Sequence, residues 1–204
     1  MKLSWYGHSC FLAETAEGSV LFDPYAPGSV PGLALPALTA DLVLCSHGHR
    51  DHGWREGVRL SGRTPGLRVE ALPCWHDDKQ GALRGENTIH MVEAEGLRLV
   101  HLGDLGHPLS PVQLEALGRV DILLLPVGGY YTIGPEIAWQ IAQALRPAVT
   151  VPMHYRGEGF GYPVIGTVEP FAALAGPVRR LDASSFDPAA LEKPVTVLLR
   201  CPLS

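Results

Sequence analysis

The chain has 204 residues, 46% of them hydrophobic and 18% charged, which suits one domain spanning residues 1–204 with a substantial core. Its net charge of −5 is scattered rather than blocked, so no nucleic-acid partner is expected. No apolar run approaches the ~18 residues of a membrane span, and the opening MKLSWYGHS lacks a signal-type apolar core, so the expected location is the cytoplasm, without membrane attachment.

In chain order, LSWYGHSCFLAET and SVLFDP read as paired strands around a Glu17-Gly18 turn. DLVLCSH reads as a buried strand. LRVEALPCWH, NTIHMVEAE and LRLVHLGD follow as further strands, the last two joined across Glu95-Gly96. SPVQLEALG is a helix with Ser110 as N-cap and Pro111 at its first position. DILLLPVGG is a buried strand. PEIAWQIAQAL is a second helix with Ile137, Ile141, Ala144 and Leu145 on one stripe, stopped by Pro147. AVTVPMHY is a strand, VEPFAALAG a short helix and KPVTVLLRC a closing strand. Strands first and helix–strand units after them argue for packed sheets with helices outside.

Residues 46–52, SHGHRDH, place three of the chain's nine histidines and an aspartate within six positions. Three imidazoles and a carboxylate cannot fill an apolar core without polar partners, which leaves a solvated loop or a metal site. Imidazole nitrogens and carboxylate oxygens suit zinc, manganese or iron. Residues two apart on a strand face the same way, so His47 and His49 can grip one ion, while Asp51 and His52, after a turn, can reach a second. A two-metal site needs about seven or eight protein ligands. His76, Asp104 and His154 each end a strand-like run and are the further candidates. The four cysteines, Cys10, Cys45, Cys74 and Cys201, form no Cys-x-x-Cys pair and read as reduced, each in or beside an apolar strand-like run; Cys74, the one near a candidate ligand, reads as a buried thiol.

On these residues, together with YGHS (6–9), LFDP (21–24), HDDKQGALRGEN (76–87), HLGDLGH (101–107), LLPVGGYYT (124–132) and PMHY (152–155), the chain resembles the metallo-β-lactamase-fold hydrolases, in particular the branch of ascorbate-6-phosphate lactonase. The resemblance implies an α+β fold, a four-layer αββα sandwich of two mixed sheets flanked by helices, with a dinuclear site between them. It implies two divalent ions per chain, zinc first, with manganese or iron as alternatives. His47, His49 and His76 would hold one ion, and Asp51, His52 and His154 the other. Asp104 would bridge them, with Asp51 and Asp104 as the catalytic carboxylates. Ser46 stands where the family more often has Thr, and no long insertion marks a substrate.

A hydroxide activated by two ions needs no Ser or Cys nucleophile, and none with a suitable partner stands out. The implied reaction is hydrolysis of a small anionic ester, lactone or phosphoester. A phosphodiesterase or nuclease of the same fold, and a non-catalytic metal-binding protein, are the competing readings. His8, His107, Tyr131 and Tyr155 are candidate substrate contacts. His90 and His101 read as structural, and RGEGFGYP (156–163) as a rim loop. The oligomeric state is open, a homo-oligomer included.

Overall fold

Alternation of apolar and polar side chains builds the first sheet. In the computed structural model, which describes residues 1–202, β1 (Lys2–Trp5), β2 (Phe11–Thr15) and β3 (Gly18–Phe22) form an antiparallel meander. Thr15 pairs with Gly18, so the turn is Ala16–Glu17, one residue earlier than the sequence suggested. β4 (Leu38–Ala40) is followed by β5 (Leu42–Leu44), which pairs parallel to β3 as an edge strand. The expected burial of this strand is therefore met only at Val43, while Leu42 and Leu44 are half-buried.

The second sheet begins after β6 (Val58–Leu60), which pairs with β4 in a separate two-stranded ribbon. β7 (Arg68–Trp75), β8 (Glu86–Ala94) and β9 (Leu97–His101) are antiparallel neighbours. Glu95 and Gly96, at φ 53° and 72°, make the tight turn between β8 and β9 that two left-handed residues allow. Helix α1 (Pro111–Leu117) has the expected Ser110 cap, closed into a capping box by Gln113. β10 (Ile122–Pro126), α2 (Pro135–Leu145), β11 (Val149–Met153) and α3 (Glu169–Ala175) follow. β12 (Val178–Leu181), β13 (Ser185–Phe186) and β14 (Val195–Leu199) complete the chain.

The five-stranded sheet runs β13-β1-β2-β3-β5 and the seven-stranded sheet β12-β14-β11-β10-β9-β8-β7; both mix parallel and antiparallel pairs. Between them lies the main core, fed by alternate residues such as Phe11, Ala13, Val20 and Phe22 from one sheet and Leu99, Leu124 and Val151 from the other. All of β10 and β11 is buried, as parallel strands covered on both faces must be. The three helices each connect parallel strands of this sheet in steps that advance one way, and crossovers of one hand lay them on one outer face. There Trp139 of α2 meets Phe171 of α3 edge-on, 6.4 Å apart. Of the anticipated stripe on helix α2, Ile141 is buried and Ile137 and Leu145 pack half-buried against the core, while Ala144 is exposed and Ala138 and Ala142 complete the buried face. Small side chains one turn apart let the helix lie close to the sheet.

The opposite outer layer is irregular. Leu12 and Leu21, on the far side of the five-stranded sheet, pack with Tyr25, Val30, Leu33 and Val58 from the loops and the β4–β6 ribbon. β12 escaped the sequence pattern because it is an edge strand with two exposed arginines, Arg179 and Arg180. The pairing directions make β1, β3 and β5 parallel in one sheet and β7, β9 and β11 parallel in the other. The segments after these six strands carry the candidate site.

Candidate metal centre

Each polar side chain of the centre follows one of those strands: His8 after β1, Asp23 after β3, the His47–His52 segment after β5, His76 after β7, Asp104 after β9 and His154 after β11. The SHGHRDH segment lies wholly beyond β5, so its histidines converge through a turn rather than through strand pleating. The backbone N–H groups of His52 and Gly53 both donate to His49 O, at 3.0 and 2.8 Å. This turn brings Asp51 and His52 back over His47.

Asp104 is the hub. Its Oδ2 lies 3.2 Å from His76 Nε2, 3.2 Å from His154 Nε2 and 3.3 Å from His52 Nε2. Asn87 orients it, accepting from Asp104 N at 2.9 Å while its own amide donates to Leu102 O at 2.9 Å. Ligand atoms of His47, His49 and His76 gather within 4.8 Å of one another, and those of His8, His52 and His154 do the same. Asp51 Oδ2 is 3.5 Å from His8 Nε2 and 3.9 Å from His52 Nε2.

Much of this cluster is buried without partners: both ring nitrogens of His8 and of His154, Nε2 of His47 and His52, Nδ1 of His76 and Oδ1 of Asp104. An unpaired buried polar atom costs about 1–3 kcal/mol, so so many together mark a ligand rather than a packing solution. Imidazole nitrogens and carboxylate oxygens in this mixture fit zinc, manganese or iron. Burial and the neighbouring His154 push the His8 imidazole down to about 4, and burial with His52 pushes His47 down to about 3. Both are therefore neutral at pH 7, the form that ligates. Burial alone would raise the Asp104 carboxyl, but His154 and His52 hold it well below the usual range. For Asp51 burial is likewise outweighed, by His8 and His52. His52, despite burial, is raised well above its ordinary value by the Asp104 and Asp23 carboxylates on its two sides.

Two sequence candidates sit elsewhere. Tyr155 turns into the core, its ring 5.5 Å from Trp5 and 6.0 Å from Phe160, because the residue after His154 faces the opposite side of the chain. His107 is held outside the centre, Nε2 accepting from Trp75 N at 3.2 Å and Nδ1 lying 2.8 Å from Pro108 O. Tyr131 does line the cavity of about 220 Å³ above the centre, together with Tyr162 and Arg84. Cys74 is buried and its Sγ accepts from Asn87 Nδ2 at 3.1 Å, away from the ligand groups. His101 is structural: Nδ1 accepts from Gly103 N at 3.1 Å, so Nε2 donates to Ser9 O at 2.9 Å.

The sequence reading did not assign Asp23, Asn87, Arg84 or Tyr162. Asp23 was within reach, since it ends a strand-like run as the other candidates do. Tyr162 stands in the glycine-rich segment read as a rim; its hydroxyl donates to Ser29 O at 2.6 Å and lies 3.1 Å from Asp51 Oδ2.

Residues 2–154 match the family described as the beta-lactamase superfamily domain. A UPF0173 metal-dependent hydrolase of Archaeoglobus fulgidus is 31% identical over 193 residues, 76% of this chain and 83% of its own. One of Opitutus terrae is 31% identical over 194 residues, 76% and 85% of the two chains. Among solved structures, a Thermotoga maritima protein described as a Zn-dependent hydrolase of the metallo-beta-lactamase superfamily matches with TM-score 0.76 and 33% identity across 97% of both chains. Igni18, a metallo hydrolase of Ignicoccus hospitalis, shares the fold at TM-score 0.64 and 21% identity, over 100% of this chain and 96% of its own. The chain therefore belongs to the UPF0173 family of metal-dependent hydrolases, within the metallo-β-lactamase superfamily.

Proposed function

We propose that this chain hydrolyses a small anionic ester, lactone or phosphoester in the cytoplasm, using two divalent ions. His47, His49 and His76 would hold one ion, and His52, His154 and Asp51 the other, with Asp104 shared between them. The observation that carries this reading is the convergence of three Nε2 atoms on Asp104 Oδ2 at 3.2 to 3.3 Å, beside an Oδ1 with no partner. Zinc is the ion that a histidine-rich set without thiolates favours first, manganese and iron following.

Such ions supply Lewis acidity toward a carbonyl or phosphoryl oxygen and bring the pKa of water toward ~7. The chain's own residues do the rest. Asp51 and Asp104, both held ionised, lower the mutual repulsion of two cations close together. His8 stands over Asp51 and His154 and closes the centre on the five-stranded-sheet side. Tyr131 and Tyr162 wall the cavity and narrow the access of bulk water. Ser46, the hydroxyl within the histidine motif, is buried and donates to Asp23 Oδ2 at 2.7 Å, so it is no free nucleophile. The motif resemblance to the ascorbate-6-phosphate lactonase branch, drawn from the sequence, puts small anionic lactones first among the substrates to try.

The test is elemental analysis of gently purified protein, followed by a hydrolysis screen on lactones, carboxylic esters and phosphoesters. Two ions per chain and turnover abolished by chelation are expected. A protein that holds and takes up no metal would overturn the dinuclear reading, and trapping a covalent acyl or phosphoryl enzyme would overturn the mechanism.

A further inference from the structure

We propose that Arg84 is the residue that recognises the substrate's anionic group, and that this group is a carboxylate or phosphate remote from the bond being cleaved. The inference rests on the hydrolytic reading above and names what that reading leaves open, the part of the substrate that selects it.

Arg84 is the cation that lines the cavity over the centre. Its guanidinium carbon lies 5.5 Å from the centroid of the Tyr131 ring, a stacking distance. Arg68, Arg98, Arg119, Arg180 and Arg200 each pair with a carboxylate, while among the described residues Arg50, Arg59, Arg146 and Arg179 do not, and none of these lines the cavity. Among the described residues Arg84 has no such partner, although Asp51 and Asp104 line the same cavity. A half-buried guanidinium laid on a ring, with its donor fork uncommitted, is disposed for an oxyanion.

The loop that carries Arg84 is built to hold it still. Asp77, buried and next to His76, accepts hydrogen bonds from four backbone N–H groups. Lys79 N and Gly81 N reach Oδ1 at 2.8 and 3.0 Å, and Leu83 N and Arg84 N reach Oδ2 at 3.0 and 2.7 Å. His76 N donates to Gly85 O at 3.0 Å and Gly85 N to Gly81 O at 2.9 Å, which closes the loop on the strand that supplies His76. Gln80, Gly81 and Gly85 take positive φ to make these turns. One carboxylate thus wraps residues 79–84 into a pedestal fixed to a candidate ligand. A cation placed in advance loses little freedom on binding, which favours affinity for a matching anion.

Size and walls complete the description. Tyr131 and Tyr162 meet edge-on, 5.8 Å apart, and the cavity of about 220 Å³ is below the ~300–1,000 Å³ usual for drug-sized ligands. The substrate is a compact metabolite or the end of a flexible chain. One end meets the histidines, and the other carries the anion to Arg84.

The test uses the metal-loaded protein, Arg84→Gln and Arg84→Lys, each checked for fold by circular dichroism and for metal by elemental analysis. The probes are 4-nitrophenyl half-esters of succinate, glutarate and adipate, a counterpart ending in a phosphonate, and neutral 4-nitrophenyl butyrate. Wild type should turn over at least one anionic ester with a kcat/KM tenfold or more above the neutral one. Arg84→Gln should erase that preference, lowering kcat/KM for the anionic ester tenfold or more relative to the neutral one, and keep its metal, while Arg84→Lys keeps part of the preference. Carboxylate and phosphonate probes separate the two sources of the anion. In parallel, calorimetric titration with glutarate and butyrate reads binding without turnover; the tighter binding of glutarate should vanish in Arg84→Gln. If no ester is hydrolysed but this binding difference appears and disappears as stated, the hydrolytic reading loses support while the Arg84 assignment holds. A preference for anions that survives in Arg84→Gln, or its absence from wild type in both turnover and binding, overturns the assignment.

Discussion

Asp23 Oδ2 accepts a hydrogen bond from His52 Nδ1 at 2.8 Å, and neither residue is exposed to solvent. That bond places a proton on Nδ1 and turns Nε2 toward Asp104, 3.3 Å from its Oδ2. Asp23 also receives Ser46 N at 2.6 Å and Ser46 Oγ at 2.7 Å, so one carboxylate ties the end of β3 to the start of the histidine segment. It holds this position at φ 44°, in the left-handed region, where an Asp is tolerated.

Asp23→Ala should lower the affinity of the His52 ion about 10- to 100-fold, the usual cost of losing the partner behind a ligating imidazole. It also strands the three donors now satisfied by Asp23, at about 1–3 kcal/mol for each that stays buried, so the melting temperature should fall as well. Competition with a chromogenic chelator measures the first effect and thermal denaturation the second. Unchanged metal affinity would mean that His52 is oriented without Asp23.

Asp104 and His76 make a contrasting pair. In the two-ion arrangement proposed above, Asp104→Ala leaves three imidazoles without the carboxylate they share and removes the charge between the ions, so at least one ion and nearly all activity should go. His76→Ala subtracts one ligand from one site, and added metal should restore part of its activity. Elemental analysis at matched free metal separates the two. An Asp104→Ala protein holding two tight ions would place the bridge elsewhere.

Three glycines should respond in opposite ways. A Cβ on Gly106 would lie 2.3 Å from Asp77 N and 2.3 Å from His76 C, and one on Gly128 would lie 2.2 Å from His154 O. These contacts are with backbone, so Gly106→Ala should displace His76 and Gly128→Ala should displace His154, with metal lost before the sandwich unfolds. Gly48, inside SHGHRDH, has nothing within 4 Å of its Cβ position and no positive φ, so Gly48→Ala should keep its metal. Metal content beside circular dichroism decides, and a Gly48→Ala protein without metal would contradict the steric account.

The thiols should be inert at neutral pH. Burial pushes Cys45 and Cys201 up to about 12 and Cys74 up to about 11, and raises Cys10 well above its ordinary value. A raised thiol pKa keeps the unreactive protonated form, so alkylation by iodoacetamide should be slow at pH 7 and climb about tenfold per pH unit through pH 9 without a plateau. Each Cys→Ser variant should retain its metal. Metal lost from Cys74→Ser alone would return that thiol to the list of ligands.

Local pattern carried much of the fold. Glu95-Gly96 sits at its turn, Ser110 caps its helix, and the apolar runs at 122–126 and 149–153 became central strands, because turn chemistry, capping and continuous burial are properties of a few neighbouring residues. The edge strands β12 and β13 and the β4–β6 ribbon did not show, since exposed short strands need no apolar alternation. Tyr155 illustrates the limit at the site: adjacency to His154 in sequence placed it near the centre on paper, while the backbone turned its ring into the core.

By itself the sequence determined the donor chemistry: a cluster of imidazoles and carboxylates, each following a strand-like run, which an apolar core cannot absorb and a metal can. Only the tertiary structure decided which of them meet. Parallel direction within each sheet puts the ends of β1, β3 and β5 opposite those of β7, β9 and β11, and so brings His52 and Asp104, 52 positions apart in sequence, to 3.3 Å. The same closure sets Asp23 behind His52 and Arg84 over the cavity. Neither placement has a local signature, because both depend on contacts between segments whose separation along the chain says nothing of their distance in space.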